Sequence, residues 1–338
     1  MGEAMEPVRW GVISTAKIGV EKVIPGMQRG TVSRVVAIAS ANEVKARAAA
    51  ARLGIATVHL SYDALLADPE IEAVYNPLPN HLHVPWSIRA MEAGKHVMCE
   101  KPIALTAAEA RQLAEAEART GKRVAEAFMV RYNPQWRRAK VLTLDGTIGD
   151  PRLIRVVFAY NNVDPANIRN KPEMGGGGLY DIGCYAITGA RFLFGAEPVR
   201  VIATIERDPV LKVDRLASGL LDFPDGRQLV FSSATQIAPR QNVEILGTAG
   251  RIAIAVPFNV DPARATEIVI DDARDLYGGG ARTEVFAPCD QYTLQGDAIS
   301  TAIRTGAPFD YPIPDAVMNM RILDALFRSE TSGRWEIP

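Results

Sequence analysis

The sequence predicts an α/β fold in two parts, in which a doubly wound parallel sheet precedes an α+β domain built on an open, largely antiparallel sheet. The first part alternates short apolar runs with amphipathic stretches as far as Phe128, and strand–helix units joined by short loops form parallel sheets. After Met129, strand-like segments follow one another with few helices, and turn signals such as Pro224-Asp225-Gly226 separate them. We therefore expect one domain over residues 1–128 and a second over residues 129–338.

Apolar runs mark the strands of the first domain, and good helix formers mark the helices between them. The predicted strands are Val8–Ile13, Val35–Ala39, Ala73–Tyr75, His96–Cys99 and Arg123–Phe128. The predicted helices are an amphipathic stretch to about Gln28, Glu43–Leu53 closed by Gly54, Val84–Ala93 ended by Gly94, and a stretch from Thr106 to about Thr120. Thr106 and Glu109 have the spacing of a capping box, which fixes the start of the last helix.

The second domain is predicted as a series of strands with four helices. The strands are Leu153–Tyr160, Val199–Ile205, Leu216–Phe223, Gln228–Ser233, Val243–Leu246 and Arg251–Val256. The helices run from Pro134 to about Leu144 and over Gly178–Phe194, Tyr292–Thr305 and Pro314–Ser332.

The composition is that of a soluble globular protein, with 338 residues of which 48% are apolar and 23% charged. The 38 basic and 39 acidic residues give a formal net charge of −1, so neither nucleic acid nor an anionic membrane is expected as a partner. The apolar runs are shorter than the roughly 20 residues of a membrane span, and residues 1–10 do not resemble a signal peptide. Three widely spaced cysteines predict reduced thiols in a cytoplasmic protein, and the histidine spacing predicts no metal site.

The turn after the first strand is a candidate phosphate-binding turn. Dinucleotide-binding folds place G-x-G-x-x-G here, whereas this sequence has Ser14-Thr15-Ala16-Lys17-Ile18-Gly19. Ser14 and Ala16 are small enough to let the backbone approach a phosphate, and the N-terminus of the following helix favours an anion. An ordinary strand–turn–helix connection is the alternative interpretation.

The segment after the second strand bears on the choice of cofactor. Folds that select NAD place a carboxylate at this strand end to hold the ribose 2′-hydroxyl. Here Ser40 ends the strand and Lys45 lies early in the next helix, so a hydroxyl and a cation favour the 2′-phosphate of NADP. The alternative is that Lys45 is a solvated surface lysine and that Glu43 caps the helix.

A lysine follows the predicted strand His96–Cys99, within Glu100-Lys101-Pro102. Ligands of parallel sheets bind at the carboxyl ends of the strands, so we expect Lys101 beside a bound nicotinamide. The Lys101–Pro102 bond is a candidate cis peptide. A structural ion pair between Glu100 and Lys101 is the alternative.

A run of glycines, Gly175–Gly178, precedes a predicted helix that carries Asp181 and Tyr185. Glycines let the chain pass close to a ligand, and a spacing of four places Asp181 and Tyr185 on one helix face. A tyrosine with a free pKa of about 10 becomes a better acid–base catalyst when an ammonium such as that of Lys101 favours the phenolate. A core tyrosine and a helix-capping aspartate are the alternative.

Together these segments resemble the glucose–fructose oxidoreductase and inositol dehydrogenase family, often called Gfo/Idh/MocA. The resemblance rests on Glu100-Lys101-Pro102, on Gly176–Tyr185, and on Glu126-Ala127-Phe128-Met129 followed by Arg131, Tyr132 and Pro134. The opening stretch Arg9–Gly19 is similar to the branch of xylose dehydrogenases and trans-dihydrodiol dehydrogenases. Asp68–Tyr75 and Leu323–Leu326 also match in place, so the resemblance covers nearly the whole chain.

This resemblance implies a Rossmann dinucleotide-binding domain over residues 1–128 and a substrate-binding and dimerisation domain over residues 129–338. It implies hydride transfer at a carbinol or carbonyl of a sugar-like or cyclic polyol. NADP(H) is the preferred cofactor, with NAD(H) as the alternative because Ala41 stands where the branch usually carries an arginine. By resemblance, Tyr185 donates or accepts the proton, Asp181 orients the substrate, and Lys101 positions cofactor and substrate.

The resemblance and the motifs give two sets of candidate binding residues. Those expected at the cofactor are Ser14, Thr15, Ala16, Lys17, Ile18, Ser40, Lys45, Pro77, Leu78, Asn80, His83, Glu100 and Lys101. The candidate hydroxyl partners of the substrate are Arg131, Tyr132, Asn161, Arg169 and Tyr292. We expect a homodimer or homotetramer. A non-catalytic protein that senses NAD(P) or sugar is the competing interpretation, and the complete set of Lys101, Asp181 and Tyr185 argues against it.

Overall fold

The computed structural model describes residues 5–338, which fold into two compact units. The first unit contains the chain up to Met129 together with Asp290–Val317, and the second contains Val130–Cys289 with Met318–Pro338. The strands, in chain order, are β1 (Val8–Ile13), β2 (Ser33–Ala39), β3 (Thr57–His59), β4 (Ala73–Asn76), β5 (His96–Cys99), β6 (Val124–Glu126), β7 (Pro151–Asn161), β8 (Arg200–Arg207), β9 (Asp214–Asp222), β10 (Gln228–Ala234), β11 (Gln236–Gly247), β12 (Arg251–Ile254), β13 (Thr266–Asp271) and β14 (Ala281–Phe286). The helices are α1 (Ile24–Arg29), α2 (Glu43–Leu53), α3 (Tyr62–Ala67), α4 (His83–Glu92), α5 (Ala107–Thr120), α6 (Pro134–Leu144), α7 (Cys184–Phe194), α8 (Gln291–Thr305) and α9 (Ile313–Ser332).

The sheet of the first unit has six strands in the order β3-β2-β1-β4-β5-β6, and every neighbouring pair is parallel. This is the strand order of a doubly wound dinucleotide-binding fold, so the predicted fold class is confirmed. Strands β1 and β5 begin and end where the apolar runs predicted. Strand β3 and helix α3 were not predicted, because three and six residues are too few to show a clear periodicity.

Local capping bonds set the ends of the helices in the first unit. The side chain of Asn42 accepts a hydrogen bond from the Lys45 N–H, so Asn42 caps α2 and the alternative cap at Glu43 is wrong. Thr106 accepts from the Glu109 N–H at 3.1 Å, as predicted for α5. The returning bond of Glu109 runs from the Leu105 N–H at 3.0 Å, one residue earlier than a regular capping box has it.

Helix α8 packs within the first unit, although it lies far along the chain. The indole N–H of Trp10 donates to Ser300 Oγ at 3.0 Å, and both side chains are buried. A Cβ at Gly26 would lie 2.6 Å from the Cβ of Tyr292, so the glycine permits a close approach of α1 and α8. The division into functional domains at residue 128 stays a prediction, whereas α8 belongs structurally to the first unit.

The second unit contains an eight-stranded sheet in the order β14-β13-β12-β11-β7-β10-β9-β8. Strands β7 and β10 pair in parallel and the other neighbours pair antiparallel, which confirms the largely antiparallel sheet. Strands β13 and β14 were not predicted. In β14 the six residues are Ala-Arg-Thr-Glu-Val-Phe, and their many polar side chains suit an exposed edge strand but hide the apolar alternation.

Within the described part of the chain, no helix combines the length and the apolar character needed to cross a membrane.

Candidate active site

The turn after β1 places a serine where dinucleotide folds use their first glycine. Ser14 has φ of +85°, a left-handed conformation that favours glycine. Its N–H donates to Ala39 O at 2.8 Å, and its Oγ accepts the N–H of Ala16 at 3.3 Å. Strained backbone of this kind clusters at ligand sites, and the close approach of a phosphate to this turn stays a prediction.

The rest of the turn leads into a wide helical turn. Gly19–Val23 is a π-helical turn that continues into α1, and a Cβ at Gly19 would lie 3.4 Å from the ring of Tyr75. Thr15, Ala16 and Ile18 are half-buried, and Lys17 is exposed. Small residues followed by a helix N-terminus fit the pyrophosphate of a dinucleotide, because the first N–H groups of a helix attract an anion.

The end of β2 holds the residues expected to select the cofactor. Ser40 is buried, with 7% of its surface exposed, and its Oγ accepts the N–H of Asn42 at 3.1 Å. The hydroxyl proton of Ser40 can still be donated to a phosphate oxygen. Lys45 is exposed in the first turn of α2, as a solvated lysine would be, so its contact with a cofactor stays a prediction.

The loop after β4 is organised by an asparagine that sequence reasoning missed. Asn76 is fully buried, and its Nδ2 donates to His83 O at 3.0 Å and to Ser87 Oγ at 3.1 Å. Its Oδ1 accepts the N–H of Leu78 at 3.3 Å. Pro77 and Leu78 are buried and Asn80 is half-buried.

His83 joins this loop to the segment that follows β5. Its Nε2 lies 2.7 Å from Leu78 O and its Nδ1 lies 2.7 Å from Pro102 O, inside the protein. Burial lowers the pKa of His83 to about 4, against the two backbone hydrogen bonds, which raise it. Since both ring nitrogens face carbonyl oxygens, His83 is suited to hold two loops together and not to exchange a proton with a substrate.

The carboxylate of Glu100 accepts the hydrogen bonds that fix the segment after β5. The hydroxyl of Tyr75 donates to Glu100 Oε1 at 2.7 Å, and the N–H of Lys101 lies 3.4 Å from Glu100 Oε2. The pKa of Tyr75 is raised by burial and by the charge of Glu100. The Lys101–Pro102 bond is cis, as expected. The next N–H, that of Ile103, donates to Glu126 Oε1 at 2.8 Å.

Tyr292 lies in α8 and therefore in the first unit, whereas the sequence placed it among residues of the second domain. Its side chain is half-buried, and its pKa is raised by burial and then by the charge of Glu100. Tyr292 thus lies in the electrostatic field of the segment that carries Lys101.

In the second unit, the glycine run before the predicted helix packs against the protein itself. A Cβ at Gly176 would lie 2.5 Å from Arg169 O. Gly177 has φ of +121°, and a Cβ there would overlap Oδ1 of Asp214. The sequence led us to expect that the glycines make room for a ligand, but at these two positions the neighbours are a backbone carbonyl and a carboxylate of this chain.

The helix after the glycines opens with a π-helical turn, Leu179–Gly183, which continues into α7. The N–H of Cys184 reaches Leu179 O, five residues back. The predicted helix over Gly178–Phe194 is confirmed with this widened first turn. Such π turns are frequent at functional sites, and this one carries Asp181 and leads directly to Tyr185.

Asp181 is bound by a tyrosine and an arginine through one oxygen. The hydroxyl of Tyr160 donates to Asp181 Oδ2 at 2.6 Å, and Nε of Arg169 donates to the same atom at 2.9 Å. Asp181 raises the pKa of Arg169, whereas that of Tyr160 is raised first by burial and then by Asp181. Both donors stabilise an ionised Asp181. Tyr160 was missed because only the fold brings the end of β7 to this helix.

Tyr185 is buried, with 6% of its surface exposed, in an aromatic cluster of the second unit. Its ring centroid lies 5.6 Å from that of Phe158 and 5.3 Å from that of Phe258, and those two rings stack at 4.7 Å. The alternative of a core tyrosine therefore describes its packing well. Tyr185 also contributes to the raised pKa of Arg169, so a guanidinium lies within electrostatic reach of the phenol.

The other predicted substrate residues of the second unit differ in their exposure to solvent. Arg131 and Tyr132 are buried, and Asn161 is exposed at the end of β7. Arg169 has a partly exposed side chain, and its Nε donates directly to Asp181. Among residues 5–338, no group of three or more His, Cys, Asp and Glu side chains is arranged to hold a metal ion.

Two family models match this chain. The model of an oxidoreductase family with an NAD-binding Rossmann fold, GFO/IDH/MocA, matches residues 8–128. The model of the GFO/IDH/MocA C-terminal domain matches residues 136–253.

Individual proteins resemble the chain over nearly its whole length. An uncharacterized oxidoreductase of Rhizobium meliloti is 49% identical over 98% of this chain and 99% of its own length. D-xylose 1-dehydrogenase (NADP(+)) 2 of Haloferax volcanii is 37% identical over 96% of this chain and 98% of its own. Among solved structures, the 3-ketoreductase KijD10 of Actinomadura kijaniata, in complex with NADP and TDP-benzene, is 28% identical with a TM-score of 0.90, covering 96% of this chain and 98% of its own.

Proposed function

Because the chain belongs to the GFO/IDH/MocA family of oxidoreductases, we propose that it transfers a hydride between NADP(H) and a carbinol or carbonyl of a sugar-like or cyclic polyol. The observation that carries the proposal is the helix of the second unit on which Asp181, bound by Arg169, precedes a buried Tyr185. NAD(H) is the alternative cofactor.

The cofactor residues of the proposal all lie in the first unit. The left-handed turn at Ser14 would hold the pyrophosphate at the start of the following helix. Ser40 and Lys45 would bind the 2′-phosphate, and the loop of Pro77, Leu78 and Asn80 would lie at the nicotinamide. When bound, NADP(H) supplies or accepts the hydride. The NADP preference is supported by the names of the xylose dehydrogenase and the ketoreductase complex.

Proton transfer is assigned to Tyr185. In the reducing direction its hydroxyl gives a proton to the carbonyl oxygen, and in the oxidising direction the phenolate accepts the carbinol proton. Arg169 supplies a positive charge in the same unit, which favours the phenolate. Asp181, kept ionised by Arg169 and Tyr160, orients a substrate hydroxyl by accepting its hydrogen bond. Lys101 positions the cofactor and the substrate oxygen.

The substrate class is supported by what the relatives are called. They include xylose dehydrogenase, dTDP-sugar 3-reductases and a trans-1,2-dihydrobenzene-1,2-diol dehydrogenase. All of these names describe oxidation or reduction at an oxygen-bearing carbon of a sugar or a cyclic diol. The candidate contacts Arg131, Tyr132, Asn161 and Tyr292 stay predictions.

We propose that the protein acts as a homodimer or homotetramer in the cytoplasm. No disulfide joins its three cysteines, as expected in a reducing compartment. One face of the second sheet carries Ile202, Leu220 and Val230 side by side in register, and none of the three is buried. Such an apolar stripe suits contact with a second copy. Val230→Lys should shift the mass measured by light scattering towards the monomer, and an unchanged mass would contradict this face.

A substrate screen tests the proposed activity. The purified protein is mixed with aldoses, polyols and cyclic diols in the presence of NADP or NAD, and with the corresponding carbonyls in the presence of NADPH or NADH. We expect a change in nicotinamide absorbance with at least one sugar or diol, at a higher rate with the phosphorylated cofactor. Tight NADPH binding without turnover on any member of the panel would favour the non-catalytic sensing protein.

A further inference from the structure

We infer that Asp214 is a positioning residue that fixes the start of the helix carrying Asp181 and Tyr185. Asp214 is the first residue of β9 and has 1% of its surface exposed. Its Oδ2 accepts the N–H of Leu179 at 2.6 Å, across 35 residues of sequence. The effect on turnover rests on the proposed function, whereas the anchoring itself does not.

The helix start needs a partner from elsewhere because its own sequence provides none. The first N–H groups of a helix have no acceptor within the helix. The residue at the N-cap position, Gly178, makes no side-chain hydrogen bond that could cap the helix. A carboxylate at this end also interacts favourably with the helix dipole. Asp214 therefore does for this helix what Thr106 does locally for α5.

The glycine run is the counterpart of this carboxylate. A side chain at Gly177 would overlap Oδ1 of Asp214, and φ of +121° at Gly177 already disfavours any other residue. A Cβ at Gly178 would lie 3.4 Å from Oδ2 of Asp214. The run thus brings the backbone close enough for the carboxylate to reach the Leu179 N–H.

The charges that face Asp214 come from three other elements. Arg207 of β8 lowers the pKa of Asp214 and Glu330 of α9 raises it, and these two form a bidentate ion pair at 2.6 and 2.8 Å. Tyr160 of β7 lies close enough for Asp214 to raise its pKa. Burial is the largest effect and raises the pKa of Asp214 to about 7.

The consequence for the reaction is geometric. Asp181 lies two residues after Leu179, and its own N–H bonds to Gly177 O at 3.0 Å. If the Leu179 N–H loses its acceptor, the π turn between Leu179 and Gly183 loosens and moves both Asp181 and Tyr185. A displacement of about 1 Å at a catalytic group costs up to roughly 100-fold in rate.

The test compares Asp214→Ala and Asp214→Asn with Asp271→Asn as the matched control. Asp271 is also buried in the second unit but pairs with Arg251. Hydrogen exchange of the segment 179–185, the NADPH dissociation constant and kcat are measured for each. We expect Asp214→Ala to speed exchange in this segment and to lower kcat by about 10–100-fold, with NADPH affinity within two-fold of wild type.

Asp214→Asn keeps an oxygen that can accept the Leu179 N–H, so it should partly restore both the slow exchange of segment 179–185 and kcat. Asp271→Asn should leave the exchange rate and kcat unchanged. If Asp214→Ala does not fold, Gly177→Ala is used instead, because its Cβ displaces the Asp214 carboxylate. This variant should likewise show faster exchange of segment 179–185 and a lower kcat. Wild-type exchange and wild-type kcat in a folded Asp214→Ala or Gly177→Ala protein would overturn the inference. A wild-type protein without turnover would contradict the proposed function, and the exchange result would still decide the anchoring.

Discussion

The hydroxyl of Tyr160 and the carboxylate of Asp181 are joined by a hydrogen bond of 2.6 Å, and the same oxygen of Asp181 accepts Nε of Arg169 at 2.9 Å. Two donors on one oxygen hold the carboxylate in a fixed orientation and in its charged form. Asp181 is therefore suited to accept a hydrogen bond from a substrate hydroxyl and unsuited to donate a proton.

Removal of the Tyr160 hydroxyl should weaken the hold on Asp181 without removing a charge. For Tyr160→Phe we expect the free energy of unfolding to fall by about 1.5–3 kcal/mol, the usual contribution of a hydrogen bond to a charged group, and kcat/KM to fall with it. Urea denaturation and steady-state kinetics measure the two effects. Tyr277→Phe is the control, because Tyr277 is 97% exposed. Indistinguishable results for the two variants would contradict a role for Tyr160.

The left-handed backbone at Ser14 gives a prediction about stability. Ser14→Gly and Ser14→Ala both delete the hydroxyl, but only alanine keeps a Cβ at φ of +85°. We expect the glycine variant to be the more stable by about 1 kcal/mol, because a Cβ is unfavourable in this conformation. Thermal unfolding of the pair measures the difference. An alanine variant as stable as the glycine variant would show that the turn is unstrained.

Cofactor choice is predicted to depend on Lys45. The wild-type protein should bind NADPH more tightly than NADH, and Lys45→Ala should narrow this difference by about 1–3 kcal/mol. Fluorescence titration with both cofactors gives the four dissociation constants. Arg47→Ala is a control on the same helix, since Arg47 pairs with Glu43 at 2.7 Å. Equal affinities in the wild-type protein would refute the assignment of Ser40 and Lys45.

Asp214 should make the stability of the folded protein depend on pH with a sign opposite to that of an ion-paired carboxylate. Its pKa is raised by burial from 3.8 to about 7, so between these values the folded state holds a proton that the unfolded state has released. Stability should therefore fall as the pH rises from about 4 to about 7. Glu284, whose pKa Arg138 and Arg282 lower to about 2, contributes stability that is lost as the pH falls below 4.5.

Urea denaturation across this pH range, with Asp214→Asn beside the wild type, isolates the contribution of Asp214. The difference in unfolding free energy between the two proteins should change steadily between pH 4 and 7 and level off on either side. A difference that is constant over the range would mean that Asp214 keeps one protonation state throughout.

Features that depend on neighbouring residues in the sequence could be predicted closely. Strand β1 and helix α2 begin and end where the pattern placed them, because a short apolar run, helix propensity and Gly54 act locally. The strand–turn–helix connection at Ser14 follows from its position after β1 despite the missing glycines, and its role in binding a phosphate stays a prediction. The resemblance to a family assigns the roles that local patterns leave open, and these roles stay predictions.

Features that depend on long-range contacts could not be predicted. The acceptor for the Leu179 N–H lies 35 residues away, and the donors to Asp181 lie 21 and 12 residues away. No periodicity links these positions, since only the tertiary fold of the second unit brings them together. Both ring nitrogens of His83 are likewise turned to backbone carbonyls that the sequence does not pair with it.

The central claim is that Tyr185 transfers the proton, and Tyr185→Phe tests it most directly. The substitution removes one oxygen and keeps the ring contacts with Phe158 and Phe258. Measured at saturating NADPH on the best substrate of the screen, kcat should fall roughly 100-fold or more, as expected when a general acid–base is removed, while the NADPH dissociation constant stays the same. A kcat within a few-fold of the wild-type value would contradict the claim.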